Sequence, residues 1–286
     1  AAVVPSTPRQ KMVSSLIEAW ADEYWLPTAM HFRWSYPENF RDRFQPEVGD
    51  NLLPFMPRFI KNRAVTRVAT LLRSYLPSVG VVPDQHDTIA RWTHEQLDLL
   101  DAHFAQYNYL LGSKPCLGDF GLIGPLYAHL GRDPWPAREL IAKRPNLHAW
   151  VKRMMYPPQP QAGRFLPDDA IPDTLLPLLK SVFGEFWPQL QLTLAEMERT
   201  RANLKPGRGW SRMLGMIDVP MGNATLRVGA RPFSLWMAQR SFDTFKALPA
   251  ADQASVQDWL NSIGAGDALK LAIPRLRQIA LRVAPE

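Results

Sequence analysis

Cysteine is nearly absent from this sequence, since Cys116 is the only one among 286 residues. A single cysteine excludes an internal disulfide framework and a metal site built from several thiolates. Long apolar runs are missing too, because no segment has about eighteen consecutive apolar residues, so no transmembrane segment is expected. The chain also has no run of five or six like charges and no recognisable nucleic-acid module. We therefore expect no nucleic-acid partner.

The remaining composition is that of an ordinary folded protein, with 46% apolar and 21% charged residues. The formal net charge of +6 would suit an anionic partner or an organelle matrix. However, Lys and Arg are scattered along the chain, which favours a solvated surface. The opening "AAVVPSTPRQ" has neither an apolar signal core nor an Arg-rich amphipathic helix. We expect a leader or a whole domain to precede Ala1, and the cytoplasm or an organelle matrix such as the mitochondrial one as the location, with no secretion.

The first helix has a clear start. Thr7 and Gln10 have the spacing of a capping box, and Pro8 falls at the first helical position. Pro27 should end or kink this helix, and a looser segment rich in Pro and Gly is expected over 35–54. Apolar residues continue the helical spacing at Leu16, Ile17, Trp20 and Tyr24.

The rest of the chain predicts a mainly α fold with one short hairpin. Further helices are expected at 55–75, from Asp84 or Asp87 to about Gln106, and at 117–130, 136–143, 146–155, 173–202, 233–247, 251–262 and 266–282, the last interrupted by Pro274. The hairpin is expected near 214–229, around "MGN". We expect a helical domain over 1–156, a Pro-rich connector over 157–172, and a helical extension over 173–286 that packs on the first domain.

The helix expected at 117–130 begins with an unusual capping pattern. If Cys116 is the N-cap, Asp119 takes the third helical position, where its carboxylate can accept from the N-cap amide and interact with the helix dipole. A thiol is a weak acceptor, so this cap should be weaker than one with Ser or Thr. Cys116 is either a small buried side chain or a thiol activated by the helix N-terminus. The nearby charge of Asp119 favours the first alternative.

Three segments in order carry a family resemblance: "YLLGSKPCLGDFGLIGPLYAHL", "RDPWP" and "RPNLHAWVKRM". Together they resemble the all-helical C-terminal domain of the glutathione S-transferase superfamily, over about 8–155. Asp119 matches the carboxylate of that domain's capping box, and Pro145 and Trp150 match its later helix. Cys116 departs from the family pattern, which has Ser or Thr at that position.

The resemblance implies a division of the active site between two domains. In that family, a thioredoxin-like domain of on the order of a hundred residues binds glutathione, and this sequence contains none of its motifs. The helical domain lines the hydrophobic pocket for the second substrate. By position the pocket candidates are Trp20, Tyr24, Phe32 and Trp34, with Arg33 as a polar handle, and their alternative is core packing. Asp22 or Glu23 could reach a glutathione held by a partner subunit.

Two functions follow as hypotheses. The first is a glutathione S-transferase-like protein with glutathione as cosubstrate, acting as a homodimer or with other protein subunits. The second is a non-catalytic structural or accessory subunit of a larger, organellar complex. No catalytic residue and no metal site is identified, because "HEQLD" at 94–98 lacks the second histidine of a zinc helix. A stripe of apolar residues packs on the core or forms a subunit contact: Phe233, Trp236, Met237 and Phe242.

Overall fold

Helices make up most of the computed structural model, which describes residues 3–156, 163–204 and 207–286. The helices are α1 Pro8–Tyr24, α2 Leu26–Ser35, α3 Gln45–Leu52, α4 Arg58–Arg73, α5 His86–Phe104, α6 Leu117–Ile123, α7 Pro134–Pro136, α8 Pro145–Met155, α9 Leu176–Ser181, α10 Trp187–Thr200, α11 Pro232–Lys246 and α12 Ala250–Ser262. Wider π-helical turns follow or join several of them: Asn39–Phe44, Gly124–Gly131, Ala137–Ile141 and Val182–Phe186. Four short strands form two antiparallel pairs: β1 Met216–Met221 with β2 Ala224–Gly229, and β3 Leu276–Ile279 with β4 Arg282–Pro285. In the described ranges, no helix combines the length and apolar character needed to cross a bilayer.

The central contact of the fold is between α1 and α6. α1 begins at Pro8, as predicted, but Thr7 and Gln10 form no capping box, because the Arg9 and Gln10 N–H groups donate to the Asp169 carboxylate at 2.8 and 2.9 Å. The helix is interrupted at Trp25 just ahead of Pro27, which cannot donate a backbone hydrogen bond. Glycines in α6 let the two backbones approach: a Cβ on Gly121 would lie 2.8 Å from the Cα of Glu18. The small residues of "LGDFGLIG" therefore place α6 directly against α1.

The prediction of a loose segment over 35–54 was wrong, because most of it is helical. A π-helical turn runs into α3, and Pro46 lies in the first turn of α3, where the missing N–H costs nothing. Gly49 brings α3 close to α4, since a Cβ there would lie 3.1 Å from the Cβ of Lys61. The segment therefore forms a two-helix arm with α4.

The prediction of a helix over 266–282 was also wrong. Only Ala268–Lys270 forms a helical turn, and β3 and β4 then pair from Leu276 opposite Pro285 to Ile279 opposite Arg282. Pro274 removes a helical donor, and the chain reverses at Ala280, whose φ is +52°. Leu276, Val283 and Ala284 are buried, whereas Arg277, Gln278 and Arg282 are exposed, so burial does not alternate strictly along this hairpin.

The first hairpin was predicted correctly and is anchored to the helical core. Gly222, at φ +59°, makes the turn between β1 and β2. Its N–H donates to Glu185 Oε1 at 2.9 Å, and Trp92 Nε1 of α5 donates to Glu185 Oε2 at 2.7 Å. Glu185 therefore ties the hairpin to α5.

Candidate functional site

The start of α6 has all of its first-turn donors near acceptors. Cys116 is extended, with φ −112° and ψ 176°, and its N–H donates to Asp119 Oδ2 at 2.9 Å. Leu117 N–H donates to the Val3 carbonyl at 3.1 Å, and Gly118 N–H donates to Ser14 Oγ at 3.3 Å. A serine of α1 thus assists a cap in which the thiol is the weak member.

Asp119 is completely buried and joins three segments of the chain. Besides the Cys116 amide, its carboxylate accepts from Leu110 N–H at 3.1 Å and from Trp150 Nε1–H at 2.9 Å. Burial raises the pKa of this carboxyl to about 6, although the N–H donors favour its ionised form. These contacts make Asp119 a structural residue that holds α6, α8 and the preceding turn together.

The Cys116 thiol is buried and electrostatically unsuited to be a nucleophile. Burial first, and then the negative charge of Asp119, raise the pKa of the thiol well above its usual value. A thiol without solvent access and with a raised pKa stays protonated and unreactive at neutral pH.

The raised pKa of Asp119 predicts a pH effect on stability. A carboxyl whose folded pKa exceeds its unfolded value binds its proton more tightly when the protein is folded. The stability that this proton contributes is therefore fully present below pH 3.8 and is lost as pH rises through about 6. We expect the free energy of unfolding to fall by about 2–3 kcal/mol between pH 4 and 6.5, relative to Asp119→Asn, which does not titrate. Urea titrations of both proteins measure the difference. A difference independent of pH would contradict the prediction.

Aromatic side chains gather at the end of α2. Phe32 is buried and stacks on Trp135, with ring centroids 5.8 Å apart, and the half-exposed Tyr36 stacks on the same ring at 3.7 Å. Trp34 is half-exposed and lies 5.0 Å from the ring of Phe44. We call the Phe32, Trp34, Tyr36, Phe44 and Trp135 rings the α2 aromatic group.

Arg33 lies in a polar cleft beside this group. Its Nε donates to Asp133 Oδ2 at 2.8 Å and its Nη2 donates to the Ala128 carbonyl at 2.8 Å. Burial raises the pKa of Asp133, and the charge of Arg33 opposes that shift. The cleft has a volume of about 190 Å³ and is lined by Arg33, Arg43, Phe44, Glu47, Val48, Ala128, Arg132 and Asp133. Sequence reasoning missed Asp133, which follows Arg33 by a hundred residues and has no local signal for this pairing.

The two pocket candidates on α1, Trp20 and Tyr24, lie in the core and not in the α2 aromatic group. Trp20 is fully buried and packs against Trp25 at 5.5 Å, and Tyr24 packs against Trp92 at 5.4 Å. The Tyr24 hydroxyl donates to the Pro220 carbonyl at 2.5 Å. Both rings therefore belong to the core between α1, α5 and the first hairpin.

The acidic face of α1 is covered by α11 of the same chain. The Glu23 carboxylate accepts from Ser234 Oγ at 2.5 Å and lies 3.8 Å from Arg231. Arg240 reaches Glu18 at 2.7 Å and Asp22 at 3.9 Å, and Asp22 stays exposed at the edge. Burial raises the pKa of Glu23 despite the charge of Arg231.

The apolar stripe of α11 is divided between the core and the surface. Phe242 is buried and stacks on Trp187, with centroids 5.6 Å apart. Phe233 and Trp236 pair at 5.1 Å and are partly exposed, and Met237 is half-buried. The end of α11 near Phe233 is thus the part accessible to another molecule.

Comparison with known proteins agrees with the resemblance seen in the sequence. Residues 69–158 match the family described as glutathione S-transferase, C-terminal domain, and this segment contains Cys116, Asp119 and Trp150. No curated protein and no solved structure matches the chain. The match begins later than the predicted residue 8 but includes the capping turn and α8. This match supports membership of the glutathione S-transferase superfamily, through the helical C-terminal domain of that family, over residues 69–158.

Proposed function

We propose that this chain supplies the second-substrate side of a glutathione conjugation or reduction site. The observation that carries the proposal is the half-exposed part of the α2 aromatic group beside the Arg33 cleft. An apolar electrophile can stack on Tyr36 or on Trp34, which also lies against the Arg73 guanidinium. An anionic substituent would compete with Asp133 and Glu47 for the neighbouring arginines. Phe32 would support the Tyr36 and Trp135 rings, and Arg33 would be the polar group of the cleft. Trp20 and Tyr24 would act only through the core.

Glutathione would be the cosubstrate and would be held by a thioredoxin-like domain. The ranges that the structure describes contain two sheets of two strands each, so such a domain is not among them. The part of this chain in the reaction would be to bind and orient the electrophile and to exclude water from it. We assign no proton transfer to its residues. A homodimer, or another protein subunit, would contact the exposed end of α11.

The alternative is a structural or accessory subunit of a larger complex, and one observation favours it. The Glu23 carboxylate already accepts a hydrogen bond from Ser234 and lies beside Arg231, so it is not available to a glutathione in a neighbouring subunit. In this alternative, α11 would stabilise the helical fold without a glutathione site. The absence of any glutathione-dependent turnover by the protein from its natural source would favour it.

Replacing Trp34 tests the enzymatic proposal. In the protein from its natural source, we expect Trp34→Ala to raise the KM for an aryl halide electrophile about tenfold, because roughly 1.4 kcal/mol of stacking and burial is lost. The KM for glutathione should stay unchanged, and Trp34→Phe should restore most of the loss. Initial rates measured against each substrate separate the two constants.

The half-buried Trp259 of α12 offers a matched control. Trp259→Ala removes the same ring far from the α2 aromatic group and should leave both KM values unchanged. Equal effects of Trp34→Ala and Trp259→Ala on the electrophile KM would contradict the assignment of the pocket.

A further inference from the structure

The outer side of α4 carries an exposed apolar surface. Leu71 and Tyr75 are 58% and 57% exposed, and at the other end of the helix Phe59 is 73% exposed. Single exposed apolar side chains are common, but a contiguous set of this kind marks a binding surface. We define the α4 surface by its exposed members: Phe55, Met56, Phe59, Ile60, Val68, Leu71, Leu72 and Tyr75.

The centre of this surface is a helical face beside the one that holds α4 in place. At about 100° per residue, Ile60, Val68 and Leu71 fall within an arc of about 80°, and Tyr75 follows in the turn after α4. Leu72 falls between the angular positions of Lys61 and Val65, and Phe59 lies beyond Arg63 and Arg67. The buried residues Lys61, Val65 and Ala69 lie on another face, which packs against α3. The arm is therefore held by one face of α4 while the apolar face meets solvent.

The arm is basic as well as apolar, although Asp50 pairs with two of its cations, Arg58 and Lys61. Between Asp50 and Asp84 the sequence has no carboxylate and five basic residues: Arg58, Lys61, Arg63, Arg67 and Arg73. Arg63 and Arg67 border the apolar arc and, within the described ranges, form no ion pair. A helix with an apolar face and a cationic border is typical of association with anionic membrane surfaces.

A cationic cleft continues this surface at Tyr75. Tyr75 lines a cleft of about 670 Å³ together with Leu281, Arg208, Arg212 and Arg282. The three arginines are exposed, and no carboxylate in the described part of the chain pairs with them. Arginines that line one cleft without a carboxylate partner are suited to bind phosphate oxygens.

We propose that the α4 surface and the arginine cleft dock on an anionic phospholipid membrane. The apolar face would enter the boundary between headgroups and acyl chains, and the cleft would bind lipid phosphates. A second copy of this chain is a poor occupant, because identical cationic borders would face each other. A convex helix also suits a fluid lipid surface, whereas a protein partner needs a matching groove.

Vesicle partitioning of the full chain tests the proposal. We expect binding to vesicles of phosphatidylglycerol and phosphatidylcholine at low salt, and little binding to phosphatidylcholine alone. Removing three cleft charges with R208Q/R212Q/R282Q should lower the partition coefficient about 100-fold, at about fivefold for each arginine. The matched control R91Q/K152Q/K180Q removes three exposed cations that have no ion-pair partner in the described part of the chain, and it should change the partition coefficient much less. Equal losses in the two triple variants would overturn the proposal.

A label at Leu71 tests whether the apolar face enters the lipid. Because Cys116 is fully buried, an environment-sensitive fluorophore on Leu71→Cys reports from α4 alone. Its emission should shift to the blue with anionic vesicles, while the same label on Lys152→Cys should not shift. An unshifted label, or capture of an acidic amphipathic peptide without vesicle binding, would assign the surface to a protein partner and overturn the proposal.

Discussion

Asp119→Ala is expected to lower the free energy of unfolding by about 3–5 kcal/mol. The substitution leaves three buried donors without their acceptor: the N–H groups of Cys116 and Leu110 and the indole of Trp150. Each stranded donor costs about 1–3 kcal/mol, and removal of a buried carboxylate offsets part of that cost. The loss should affect α6, α8 and the preceding turn together, because Asp119 joins all three.

Urea titration at pH 7 measures this loss by linear extrapolation. Asp258→Ala is the matched control, because Asp258 is exposed on α12 and should change stability by less than about 0.5 kcal/mol. Asp119→Asn keeps one acceptor oxygen for Trp150 and Leu110 and should fall between the two. If Asp119→Ala lowers the free energy of unfolding by less than about 1 kcal/mol, the capping box of Cys116 and Asp119 does not stabilise the start of α6.

Gly121→Ala is expected to lower the free energy of unfolding by about 1–3 kcal/mol, although alanine is the better helix former. The new Cβ would lie 2.8 Å from the Glu18 Cα and 3.1 Å from the Glu18 carbonyl oxygen. Both atoms belong to the backbone of α1, so no side-chain rotation can relieve the contact. α1 and α6 would have to move apart at the central contact of the fold.

Gly184, in the π-helical turn Val182–Phe186, provides the matched control for this prediction. It is exposed, and a Cβ there would meet no atom within 4 Å. Gly184→Ala should therefore raise the free energy of unfolding by up to about 1 kcal/mol. Thermal and urea unfolding of the two variants compare them directly. Equal effects would mean that α1 does not determine the need for glycine in α6.

Local patterns in the sequence predicted the parts of the fold that depend on neighbouring residues. Pro8 sets the start of α1, and the glycine turn of the first hairpin needs only its own backbone conformation. The helix expected over 266–282 failed because apolar residues in a short segment fit a helix or a hairpin equally well. Its hairpin is decided by Pro274 and by the reversal at Ala280.

Long-range contacts account for what sequence reasoning missed at the sites. The spacing of Cys116 and Asp119 is local, but Ser14 and Trp150 reach this turn only through tertiary packing. Arg33 meets Asp133 for the same reason. The spacing of apolar residues in α4 predicted a helix. Periodicity alone does not tell whether an apolar face of that helix meets the core or solvent.

The enzymatic proposal is tested most directly by glutathione-dependent conjugation of an aryl halide by the protein isolated from its natural source. We predict turnover that depends on glutathione and on Trp34, in a protein larger than 32.5 kDa by on the order of 10 kDa, the size of a thioredoxin-like domain. A protein of 32.5 kDa without glutathione-dependent turnover would contradict the account and establish the structural-subunit alternative as the better one.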